Sequence, residues 1–142
     1  MTTDGKFLYS ASQGIQISVF LDNKLGALSE VCKLLGENGV NLHALTVAEG
    51  IDHGYLRIVV DSEDDAVRLL EDNGYMTFKR DVVLVEISND PGSFGTVTDI
   101  WRDNGVNINY AYSAGGPAAD RALLIVNVND IEKSIQCLKD AG

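Results

Sequence analysis

Residues 15–21 and 82–88 are strand-sized runs of alternating or continuous apolar character, rich in Val and Ile. Each leads into a polar turn, Asp22-Asn23-Lys24-Leu25-Gly26 in one case and Asn89-Asp90-Pro91-Gly92 in the other. Beyond the turns the period changes from that of a strand to that of a helix. Leu28, Val31, Cys32 and Leu35 share one helical face, as do Phe94, Val97, Ile100 and Trp101. Gly39 and Gly105 stand where a glycine ends a helix. The pattern then predicts second strands at 40–48 and 106–113, turns at 49–54 and 115–120, and third strands at 55–60 and 121–128. Acid-led helices are predicted over about 62–73 and 129–141.

The two halves are one pattern written twice. Residues 38–42 read Asn-Gly-Val-Asn-Leu and residues 104–108 read Asn-Gly-Val-Asn-Ile, an offset of 66. That offset also maps Asn23 onto Asn89, Gly26 onto Gly92, Leu28 onto Phe94, Val31 onto Val97 and Leu34 onto Ile100. Gly74 maps onto Gly142 at an offset of 68, so two residues are added before the last helix. The expected fold is α+β: two tandem ferredoxin-like βαββαβ units, with antiparallel sheets and helices on one face. The expected organisation is an N-terminal segment, 1–13, then repeat one over 14–80 and repeat two over 81–142. In repeat one, 75–79 reads as a fourth strand, whereas repeat two reaches its equivalent glycine at Gly142. Residues 6–11 have strand composition and no slot in the repeat, so they are expected to fill the vacant edge of repeat two, in the same chain or by swapping. A unit of about 65 residues hides little core by itself. Pairing of copies and a homodimer are therefore expected, helped by Phe20, Leu45, Val47 and Leu84 on the face away from the helices.

Composition narrows the function. The formal charge is −10. It is shared evenly, because residues 1–80 hold 7 Lys/Arg against 12 Asp/Glu and residues 81–142 hold 4 against 9. Such a field repels nucleic acid, and no basic stripe counters it. The longest apolar runs are far below the roughly 20 residues of a membrane span. The first residues lack a basic and apolar leader pattern, and Cys32 and Cys137 read as buried free thiols, so a cytoplasmic location is expected. With His43 and His53 as its histidines, and no nucleophile motif, the chain lacks a catalytic constellation. Their spacing with Cys32 matches no compact metal-ligand motif, so neither metal nor cofactor is expected.

A strand, a turn ending in glycine, an apolar helix, and Asn-Gly-Val-Asn-[Leu/Ile] opening the next strand together resemble the ACT domain. Asn89-Asp90-Pro91-Gly92 follows the family's Asx-x-Pro-Gly form, while repeat one departs from it with Leu25 in place of proline. The resemblance covers roughly residues 15–142. It implies a non-catalytic sensor that binds a small molecule, an amino acid, between paired domains and acts on a metabolic enzyme. The alternative is a ligand-free dimerisation or scaffold subunit. By position, the implied ligand contacts are Asn23, Gly26, Ala27, Leu28, Asn41 and Leu42 in repeat one. In repeat two they are Asn89, Gly92, Ser93, Phe94, Asn107 and Ile108. The chemistry suits an α-amino acid: a helix start offers N–H groups and a positive dipole end to a carboxylate, and an asparagine amide both donates and accepts. The same Asx-x-x-Gly turn also caps an ordinary helix, and the asparagines also suit turns.

Overall fold

The computed structural model describes residues 2–3, 6–22, 24–49 and 53–142, and of residues 2, 3, 6, 49 and 53 the backbone alone. Its elements are β1 (Thr2–Thr3), β2 (Lys6–Phe7), β3 (Tyr9–Asp22), α1 (Ala27–Glu37), β4 (Leu42–Glu49), β5 (His53–Val60), α2 (Glu63–Asp72) and β6 (Thr77–Ser88). After these come α3 (Ser93–Asp103), β7 (Ile108–Ala114), β8 (Arg121–Val128) and α4 (Ile131–Ala141). The chain divides into two compact units, Ile15–Arg80 and Met1–Gly14 with Asp81–Gly142. Each is a ferredoxin-like layer of antiparallel strands with two helices, the α+β arrangement that the periodicity predicts.

In the first unit β5 lies between β4 and β3, antiparallel to both. The start of β6 flanks β3, and the Phe20 N–H donates to the Met76 carbonyl at 3.0 Å. Alternation along β3 turns Ile17, Val19 and Leu21 toward the helices, where they meet Leu56, Ile58 and Val60 of β5. Val31 and Leu35 of α1, with Ala66 and Leu70 of α2, close this core. On the far face Phe20 packs against Tyr55 and Phe78, with ring centroids 4.8 and 5.4 Å apart.

In the second unit β8 lies between β6 and β7. The first part of β3 flanks β6, and the Ser88 N–H donates to the Leu8 carbonyl at 2.9 Å. Tyr9 is 3% exposed among Val83, Val85, Ile87, Trp101 and Leu138. Its hydroxyl donates to the Leu138 carbonyl at 2.7 Å. Burial, and secondarily the nearby Cys137 thiol, push that hydroxyl above the usual phenol value. Trp101 is fully buried and its indole N–H donates to the Ser134 carbonyl at 2.9 Å.

Three features differ from the sequence reading. The strands expected at 75–79 and 82–88 are one strand, β6, because Arg80 and Asp81 contain nothing that stops extended backbone. Cys32 is half-exposed rather than buried. Leu45 and Val47 do not lie on the face away from the helices. A register shift between Leu42 and Ala44 breaks the alternation, so Leu45 sits opposite Ile58 and Val47 opposite Leu56. Residues directly opposite share a face, so both point to the helix side, where they remain 42% and 48% exposed. His43, at the shift, is exposed, and the His53 side chain lies outside the described residues.

Candidate ligand-binding site

Helices α1 and α3 start alike. Gly26 and Gly92 occupy their N-cap positions at φ of 85° and 86°, and no side chain caps either helix. Glycine is required there by the backbone, since a Cβ would meet no neighbour at either position but would be strained by the left-handed conformation. By contrast α4 is capped by Asp130, whose carboxylate accepts from the Lys133 N–H at 3.0 Å. The two glycine-led starts differ in charge. Glu30 stands in the first turn of α1, 3.8 Å from Lys24, whereas the first turn of α3 has no acidic residue. In the turns before the helices the order is reversed, with Lys24 before α1 and Asp90 at the matching place before α3, so each helix start has an acidic residue beside it.

The strand openings are also matched. The Asn41 N–H donates to Asp61 Oδ1 at 3.1 Å, and the Asn107 N–H donates to Asn129 Oδ1 at 2.9 Å. Asn107 further donates through Nδ2 to Asn109 Oδ1 at 3.1 Å, and Asn109 donates to the buried Asn127 at 2.7 Å. Asn89 is engaged elsewhere: its amide donates to the Ala119 carbonyl at 2.8 Å and the Gly116 carbonyl at 3.4 Å, holding the loop before β8. Ser93 shares a 2.8 Å hydrogen bond with Ser88. Ala27 is buried, while Leu28 and Leu42 pack against the first core. Asn23 lies outside the described residues.

Of the twelve positions implied by the resemblance, Phe94 and Ile108 come together on a pocket. This cavity of about 250 Å³ lies in the second unit between α3 and the edge strand β7. Phe94, Thr98 and Trp101 form its helix wall, Ile108, Ala111, Tyr112 and Ser113 its strand wall, and Leu124 and Val126 its floor. The polar atoms of the helix wall are already occupied, because Thr98 Oγ1 donates to the Phe94 carbonyl at 3.0 Å and Trp101 Nε1 to Ser134. Phe94 and Ile108 are 46% and 36% exposed, so the pocket opens to solvent. Its signal in the sequence is the small residues Ala111 and Ser113 set against a helix with two aromatic residues. The first unit has a different recess of about 380 Å³, at the start of α1, bordered by Asp22, Lys24, Ala27, Glu30 and Tyr75. There Tyr75 donates weakly to Glu30 at 3.4 Å, and burial followed by that carboxylate raises the phenol above its usual value.

Among the described residues no three His, Cys, Asp or Glu side chains are grouped to hold a metal ion. Nor is any described helix long and apolar enough to cross a membrane.

The model of the ACT domain pair matches residues 13–140. A crystal structure of a protein from Bacteroides thetaiotaomicron is 35% identical, with a TM-score of 0.84, over 92% of this chain and 90% of that one. The ligand-free regulatory subunit of aspartate kinase from Thermus thermophilus has the same fold at a TM-score of 0.68, with 15% identity over 95% of this chain and 99% of that one. The acetolactate synthase small subunit of Buchnera aphidicola is 27% identical over 100 residues. That match covers 59% of this chain and 63% of the relative, just under two thirds of its length.

Proposed function

The chain belongs to the ACT domain pair family, and from that membership we propose that it is a non-catalytic regulatory protein whose second unit binds a free amino acid, at a site completed by pairing with another ACT-like domain in a homodimer. The observation that carries this reading is the start of α3, uncapped by any side chain and with no acidic residue in its first turn, from which the pocket runs along the helix. Asn107 follows the other end of α3, so it would meet the ligand of a paired domain rather than that of its own. An α-carboxylate at the first turn of α3 is favoured by the N–H groups and dipole of that turn, and the Asn107 amide of a paired domain suits the ammonium. The pocket then takes the side chain. Relatives described as a regulatory subunit of aspartate kinase and an acetolactate synthase small subunit support a metabolic enzyme as the partner.

Isothermal titration against the twenty amino acids tests the reading, with Gly92→Val as the site variant and circular dichroism as the check on folding. Binding to the wild type that is lost in folded Gly92→Val is expected. Unchanged affinity in that variant removes the site assignment. A second reading, a ligand-free scaffold subunit, is favoured by the exposed Tyr55 and Phe78 on the far face of the first unit. Titration separates the two, since a scaffold yields no heat with any amino acid, and a sedimentation mass near the 15.3 kDa of one chain removes the homodimer from both.

A further inference from the structure

We propose that the pocket of the second unit selects an amino acid with an apolar side chain, and that the first unit is closed to such a ligand at the equivalent place. The proposal rests on the amino-acid reading above and names the class of ligand. Its ground is a position-by-position exchange of size between the repeats. Phe94, Thr98, Trp101 and Ile108 correspond to Leu28, Cys32, Leu35 and Leu42. On the edge strands Ala111 sits opposite Val126 and Ser113 opposite Leu124, as Leu45 sits opposite Ile58 and Val47 opposite Leu56. The second unit thus keeps its bulk on the helix and has small residues on the strand, leaving about 250 Å³ between them. At the two matching strand positions the first unit carries the larger branched side chains Leu45 and Val47. Ligand pockets for drug-sized molecules run from about 300 Å³ upward, so this one suits something the size of an amino-acid side chain. The hydrogen-bond donors of its helix wall are spent within the protein, the Thr98 hydroxyl on the Phe94 carbonyl and the Trp101 indole on the Ser134 carbonyl. A carboxylate or amide side chain there would find only the Ser113 hydroxyl of the strand wall to replace its water, which costs free energy, whereas an aliphatic one gains by leaving water.

The test is titration of the full chain with leucine and with asparagine, a polar side chain of similar reach. Leucine is expected to bind at least about tenfold more tightly, the scale on which apolar pockets discriminate. The double variant Ala111→Leu/Ser113→Val, which writes the first repeat into the second, is expected to weaken leucine by about tenfold or more. Its melting temperature is expected to hold or rise, because the added carbon fills a groove. Leu45→Ala/Val47→Ser is expected to leave leucine binding at the second unit unchanged. Asparagine or aspartate bound as tightly as leucine overturns the apolar selectivity while leaving the amino-acid reading in place. No heat from any amino acid removes the reading and the inference together. Wild-type leucine affinity in the folded Ala111→Leu/Ser113→Val variant overturns the pocket assignment. So does a change in its sedimentation mass with leucine binding intact, which would give the groove to a second copy.

Discussion

The two units share their fold, their helix starts and their strand openings, and differ where α1 and α3 face an edge strand. In the first unit Leu45 and Val47 stand on that strand, and in the second Ala111 and Ser113. The repeats share the glycines that left-handed backbone requires at their first helices, at φ of 85° and 86°. They differ in side-chain volume where backbone does not depend on it. A pocket can therefore arise in one repeat by subtraction at two strand positions, with no change of topology.

The largest expected break in the symmetry comes from deleting residues 1–12. In the second unit this removes Leu8, Ala11 and the buried Tyr9 with its 2.7 Å hydrogen bond, while the first unit loses no residue. Burial of Tyr9 at about 2 kcal/mol and several hydrogen bonds near 1 kcal/mol each set a loss on the order of 5 kcal/mol. Hydrogen exchange is expected to show protection lost in β6 and α4 and retained in β4 and β5. Equal protection in both units would show that the segment contributes nothing to the second.

Next in size are the helix anchors. Trp101→Ala is expected to cost about 3–5 kcal/mol and Leu35→Ala about 2–5 kcal/mol in urea unfolding, since both are fully buried. Trp101→Leu, which installs the first repeat's residue, is expected to cost less than Trp101→Ala, because it leaves a smaller void. The glycines come third. Gly26→Ala and Gly92→Ala are each expected to cost about 1–2 kcal/mol through strain in the left-handed region. Costs differing by more than about 1 kcal/mol would mean that one turn holds an interaction the other lacks.

The smallest effect is chemical. Cys137 is buried, and burial pushes its thiol above the usual range, so native protein near pH 8 is expected to alkylate at Cys32 and not at Cys137. Mass spectrometry after digestion reads the ratio. Equal labelling would mean that α4 opens readily.

What was legible in the chain was the part encoded by neighbours in sequence. The repeat at offset 66, the four helices, the glycines that end or begin them, and the ferredoxin-like class all follow from periodicity and turn chemistry. Helix and strand periods are local properties, and a left-handed residue needs glycine whatever lies around it. The candidate site was legible only as a list of twelve positions, because the same turn both caps a helix and suits a ligand.

Tertiary structure decided the rest, for reasons of long-range pairing. The register shift at His43 depends on which residue of β5 faces which of β4, and it moved Leu45 and Val47 to the helix side. The bonds of Asn89 to Gly116 and Ala119 depend on where the loop before β8 returns. The pocket depends on what is missing between α3 and β7. Empty space has no local signature, since it exists only once distant walls are set opposite each other.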